Sequence, residues 1–207
     1  MKPGLELLLL EYGVGAQILG RKPPSAADIE QATAILDAAP KGVSPMEVAE
    51  YFLGVDELSD STGEPFIAEW EEKANPMILQ FFRATGYPGV HGDDVPWCAV
   101  FACWCIERAG RTSPVSWSSG SFRCYGTQTA SPAAGDVVVF RNAGEDEPCK
   151  GKGHVGFFAG WDGGRILTLG GNQRARGSTG SICIAGYPGP GQSLHSFRRV
   201  DSLAARG

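Results

Sequence analysis

The stretch from Pro96 to Ala109 constrains the fold more than any other part of the chain. Trp97, Ala99, Val100, Phe101, Ala102, Cys103, Trp104, Cys105 and Ile106 crowd it, and no charge appears before Glu107. A helix that is apolar on nearly every face must be buried on nearly every face, so this segment is expected to be the central helix of a core. Asp94 is the expected N-cap, Pro96 suits a first turn that needs no backbone donor, and Gly110 is the expected stop. Cys98 then falls in the first turn. Unpaired N–H groups and the helix dipole favour negative charge there and stabilise thiolate over thiol. Cys103 and Cys105, deeper in the same helix, read as ordinary buried cysteines.

A thiol nucleophile needs a base, and the chain holds only 3 histidines. His154 opens the strand-like run His154-Val155-Gly156-Phe157-Phe158-Ala159-Gly160-Trp161 after a loop rich in glycine and lysine, and a histidine at the start of a strand can face a helix end. His91, in a turn-rich approach to the helix, reads as a solvated loop residue, and His195 as an ordinary residue of a closing strand. The run Arg165 to Gln173 reads as a second strand, paired with the first through an Asp162-Gly163-Gly164 turn, so that its far end returns to the level of His154. Asn172 is then the expected group holding the imidazole in its working tautomer, against its plain reading as a turn asparagine after two glycines.

Four motifs in order, Pro96-Trp97-Cys98-Ala99, Gly135-Asp136-Val137-Val138-Val139-Phe140, Gly153-His154-Val155-Gly156-Phe157 and Leu169-Gly170-Gly171-Asn172-Gln173, resemble the NlpC-like group of CHAP proteins, the cysteine- and histidine-dependent amidohydrolases and peptidases of bacteria and phages. Asn75 to Leu79 and Ala84 to Tyr87 also resemble that group. The resemblance implies a papain-like α+β fold that cleaves an amide bond in peptidoglycan, with Cys98 as nucleophile, His154 as base and Asn172 at the polar third position. It implies no cofactor and no metal, with the stem peptide of the wall as binding partner. Many relatives carry a glutamate where this chain has Gly170, so a carboxylate-supported triad is not expected. Trp97, Trp117 and Gln173 are candidates for the lining of the groove, although Trp117 could equally anchor the core. A cysteine peptidase or acyltransferase acting on another amide, and an inactive binding module of the same fold, are the competing readings.

The remaining expectations concern organisation and setting. Residues 1–43 read as an N-terminal helical extension packed on a catalytic domain over 44–207. The helices are expected at 26–38 (capped by Ser25), at 45–53, at 66–73 and at 76–84, with strands dominating after Gly135 and an acidic loop over 56–64. Leu7-Leu8-Leu9-Leu10 is too short, too acidic in its flanks and too poor in basic residues for a signal peptide, and no run approaches a membrane span. Synthesis in the bacterial cytoplasm, with action in the periplasm or cell wall after delivery by a secretion machine or by lysis, reconciles that with a wall substrate. The secretion route adds a cognate immunity protein as partner. A formal net charge of −5 argues against nucleic acid as a partner. The 6 cysteines specify no pairing, although a disulfide among Cys124, Cys149 and Cys183 is open in an oxidising compartment. No CxxC or HxxxH spacing accompanies Cys98 and His154, so zinc is not expected.

Overall fold

Ser25 caps the first helix with its hydroxyl on the Asp28 N–H while the Asp28 carboxylate returns to the Ser25 N–H, a reciprocal box that fixes the start of α1 (Ala26–Ala38). The computed structural model describes residues 22–87, 92–174 and 180–200. The apolar N-terminal stretch and His91 lie outside them. Ser44 and Glu47 repeat the box ahead of α2 (Pro45–Tyr51), which tightens into a 3-10 turn over Phe52–Val55. Asn75 caps α3 (Pro76–Ala84), and α4 (Cys98–Arg108) holds the uncharged run up to Ile106 and is ended by Gly110 at φ +79°. Trp104 is the one half-buried apolar residue of α4; the others from Cys98 to Ile106 are buried.

Residues 66–73, expected as a helix, are irregular. Glu69 N donates to Gly180 O while the Glu69 carboxylate accepts from Gly180 N, Ile182 N donates to Ile67 O, and Trp70 N donates to the buried Asp93 carboxylate. The segment is drawn out as an extension of a sheet edge, and that pairing overrides its helical spacing. In the acidic loop Asp60 is buried rather than solvated. It accepts from the Thr62 and Glu64 N–H groups and pairs with Lys73 at 2.6 Å, while Lys73 also reaches Asp28 of α1 at 2.7 Å.

The strands form a six-stranded sheet of order β1-β6-β2-β3-β4-β5, antiparallel at every pairing, built from β1 (Thr127–Thr129), β2 (Val137–Asn142), β3 (Gly153–Asp162), β4 (Arg165–Gln173), β5 (Ser181–Tyr187) and β6 (Gln192–Arg199). The β3–β4 hairpin closes through Gly163 and Gly164, both at positive φ, as a two-residue turn requires. Alternation along the strands sends Val137, Val139, Val155, Phe157 and Leu169 into the core with α4, and Val138, Phe140, Phe158, Ile166 and Phe197 into a second cluster. Ala32, Ile35 and Leu36 of α1 belong to the same core as α4, so the described part of the N-terminal segment packs directly on the rest. Phe52, Phe81, Phe101 and Trp104 meet edge to face with ring centroids within 5.8 Å. The three phenylalanines are fully buried and each is worth about 1.5–3 kcal/mol of transfer free energy; with the half-buried Trp104 they hold α4 in the core.

Candidate active site

Cys98 is the first residue of α4, three positions nearer the helix start than an N-cap at Asp94 would place it. Asp94 is exposed and does not cap the helix; Trp97 takes the N-cap position and makes no side-chain cap bond. The reason lies one residue upstream. Asp93 is fully buried and accepts from Trp70 N and Asn75 N, each at 2.9 Å, so the chain is pinned before Asp94 and turns outward there. Trp97 pins the other side of the elbow. It is fully buried, its Nε1 donates to Glu69 at 3.1 Å, and Gly171 lies so close that a Cβ there would meet Trp97 Cε3 at 2.6 Å. Trp97 is therefore an anchor of the elbow and cannot line a groove, contrary to the sequence expectation.

His154 is the second residue of β3 and nearly buried. Its hydrogen-bond partner is Gln173, whose Oε1 lies 2.9 Å from Nε2, and not Asn172. Counting on from the Phe157–Leu169 pair, a regular ladder would set Asn172 opposite His154. A bulge between Gly170 and Gln173 in the β4–β5 ladder, with Asn172 at φ +53°, moves the alternation by one residue and delivers Gln173 instead. Asn172 faces the turn that leads into α4: with its amide set to satisfy both neighbours, Nδ2 donates to Glu69 at 3.0 Å and Oδ1 accepts from Trp97 N at 3.3 Å. Gln173, expected at the substrate, is fully buried. Gly170 makes its placement possible, because a Cβ on that residue would lie 3.2 Å from Gln173 Oε1. The Gln173 amide thus occupies space that a side chain at 170 would fill.

The Gln173 amide also sets the imidazole tautomer. Its Nε2 donates to Thr168 O at 2.8 Å and to Cys183 O, so Oε1 must be the atom turned to His154. A carbonyl oxygen only accepts, and His154 therefore carries its proton on Nε2 and leaves Nδ1 bare as a proton acceptor. The Cys98 thiol is met by the N–H of Val155, the residue following His154, as well as by its own N–H and that of Ala99. Among the described residues no hydrogen bond joins Cys98 directly to His154.

Burial dominates the electrostatics. It pushes the Cys98 thiol up to about 11 against the pull of those three backbone N–H groups, and it brings His154 down to about 4 against the hydrogen bond that the ring donates to Gln173. The helix end alone predicts a stabilised thiolate, but desolvation outweighs it. The resting pair is a thiol and a neutral imidazole.

Cys98 opens onto a groove of about 550 Å³ whose lining includes Trp117, Ser118 and Ser119 on one wall and Gly151, Lys152 and Gly153 on the other. Trp117 is half exposed and packs tilted on Tyr87 with ring centroids 6.0 Å apart, so its indole is available to a ligand. The walls are joined by Gly120 N donating to Gly151 O and Ser118 Oγ donating to the same oxygen, each at 3.1 Å. Arg123 donates to Glu145 O, Glu147 O and Lys152 O. A disulfide between Cys124 and Cys149 closes the same junction, while Cys183 is free. Neither this pairing nor the bulge at Asn172 has a signature in residue spacing. Among the described residues no group of three or more His, Cys, Asp or Glu side chains is placed to hold a metal. His195 lies on β6 and bonds Ser196.

A cysteine at the N-terminus of a buried helix, packed on an antiparallel sheet whose β3 carries a histidine bonded to an amide, fits a papain-like α+β fold. Residues 90–172 match the family model described as the CHAP domain, and over this stretch the chain is similar to that family. No curated protein and no solved structure matches the chain.

Proposed function

We propose that this protein is a peptidoglycan hydrolase that cleaves an amide bond of the wall by thiol catalysis, as an amidase or an endopeptidase. The observation that carries the reading is the opening of Cys98, at a helix end, onto a groove beside a tautomer-locked histidine. As substrate binds, His154 Nδ1 takes the Cys98 proton while sulfur attacks the carbonyl carbon. The developing oxyanion is met by the Cys98 N–H at the helix end. The imidazolium returns its proton to the leaving amine as the C–N bond breaks, which leaves a thioester. Water then attacks with His154 as base, releases the acid and restores the thiol. Gln173 keeps the ring in its working tautomer throughout.

The groove, with an exposed indole on one wall and the Lys152 ammonium on the other, suits a short peptide bearing a carboxylate, which the stem peptide of peptidoglycan is. The Cys124–Cys149 bridge supports a working place in an oxidising compartment. Delivery there by a secretion machine, with a cognate immunity protein in the producing cell, or release by lysis, completes the proposal. The test is digestion of purified sacculi by the protein and by Cys98→Ala, with the fragments identified by mass spectrometry. Fragments from the parent protein alone support the reading and name the bond; none from the folded parent, or the same fragments from both, overturns it.

A further inference from the structure

One hydrogen bond at Nε2 sets the direction of the His154 ring but leaves its plane free to turn about that bond. A second restraint is present. Tyr187, the last residue of β5, lies face to face with the imidazole, with ring centroids 4.4 Å apart and planes within 7° of parallel. Phe140, paired with His154 across the β2–β3 ladder, packs against both rings, 5.1 Å from Tyr187 and 6.4 Å from His154. We propose that Tyr187 is a positioning residue for His154: its ring fixes the plane in which Nδ1 is presented to the thiol and shelters the charge that the imidazole takes up with the proton.

The chemistry requires such a group. The partner of His154 is an amide, which orients the ring but brings no negative charge to an imidazolium formed in a buried place. The face of an aromatic ring carries the negative part of its quadrupole and attracts a cation stacked on it. The groups acting on His154 protonation are its burial and Gln173; around Tyr187 stand Cys98, Cys183 of its own strand and Arg165 of β4. Among the described residues no carboxylate takes part. The role belongs to the ring and not to the hydroxyl, and that makes it separable from a hydroxyl acting at the reacting carbonyl.

The proposal rests on the reading of His154 as the base, so the experiment has one readout that needs no wall substrate. In the full chain, Tyr187→Phe and Tyr187→Leu are compared by kcat and KM on soluble muropeptides, and by NMR titration of His154, assigned through His154→Gln. Phe is expected to keep kcat within about twofold. Leu is expected to lower kcat about tenfold with KM little changed, and to lower the His154 midpoint by about half to one pH unit, as loss of a cation–π contact requires. Equal damage by Phe and Leu would overturn the proposal, as would an unchanged kcat and midpoint in Leu, or a change in KM alone. Tyr187→Met carries the same comparison if the leucine variant does not fold. A parent protein that cleaves no muropeptide would overturn the wall reading alone, since the His154 midpoint still decides the role of Tyr187.

Discussion

Replacing both Cys124 and Cys149 with serine should cost stability far more than it costs activity. The bridge spans 25 residues, from the end of the Ser119–Cys124 turn to the β2–β3 loop. Closing a loop of that length removes chain entropy from the unfolded state equivalent to about 3.5 kcal/mol. In the folded state the junction retains three carbonyl contacts from Arg123 and two hydrogen bonds to Gly151 O, so the groove walls stay in register without the covalent link. The double variant should therefore unfold in urea with an m-value no smaller than the parent's and a free energy lower by about 3 kcal/mol, and melt roughly 6–12 °C lower. Reductant should bring the parent to the level of the variant and leave the variant where it is. Below the transition, sacculus cleavage should stay within about threefold of the parent, since these contacts hold the walls. A variant within about 0.5 kcal/mol of the oxidised parent would refute the entropic argument. A folded variant without activity would refute the claim that the hydrogen bonds alone hold the groove.

Three further outcomes are expected. Gly170→Ala places a Cβ against the Gln173 amide and should reduce turnover by about tenfold with a stability loss near 1 kcal/mol, read by kinetics and urea unfolding; unchanged turnover would show that the amide has room to shift. Gln173→Ala should abolish most activity and free the His154 tautomer, whereas Asn172→Ala should act chiefly on stability by releasing Trp97 N and Glu69, and NMR of the His154 nitrogens separates the two. Burial lowers His154 from 6.5 to about 4, so the unfolded chain binds the extra proton between those values and stability must fall as pH drops through that window. The contribution is on the order of 3 kcal/mol, fully present above about 6.5; His154→Leu should flatten that part of the pH–stability curve, and an unchanged curve would contradict the assignment.

The legible parts of this chain are those where local chemistry and tertiary packing agree. Ser25, the spacing of Ile29, Ala32, Ile35 and Leu36, and the Asp162-Gly163-Gly164 turn specify α1 and the β3–β4 hairpin without help from distant residues. The uncharged run of α4 forecasts its own burial, and its first turn singles out Cys98 among the cysteines. Misreadings arise where a long-range partner decides. Asp94 lost its capping role because Asp93 is tied to Trp70 and Asn75, which precede it by about twenty residues in the sequence. Residues 66–73 gave up helical spacing to pair with the chain around 181. Gln173 took the place beside His154 expected of Asn172 because a bulge inverts strand alternation, and nothing in Gly170-Gly171-Asn172-Gln173 announces which residue is the extra one. Tyr187 carries no motif at all; only the curl of the sheet brings it onto His154.

The central claim is that Cys98 forms a covalent thioester with the substrate acyl group. The direct measurement is mass spectrometry of the protein quenched in acid during turnover of muropeptides. The account predicts an acyl adduct on the peptide containing Cys98, labile to hydroxylamine and absent with Cys98→Ala, which should itself be inactive. Turnover at the parent rate by Cys98→Ala, or cleavage with the adduct on another residue, would contradict it.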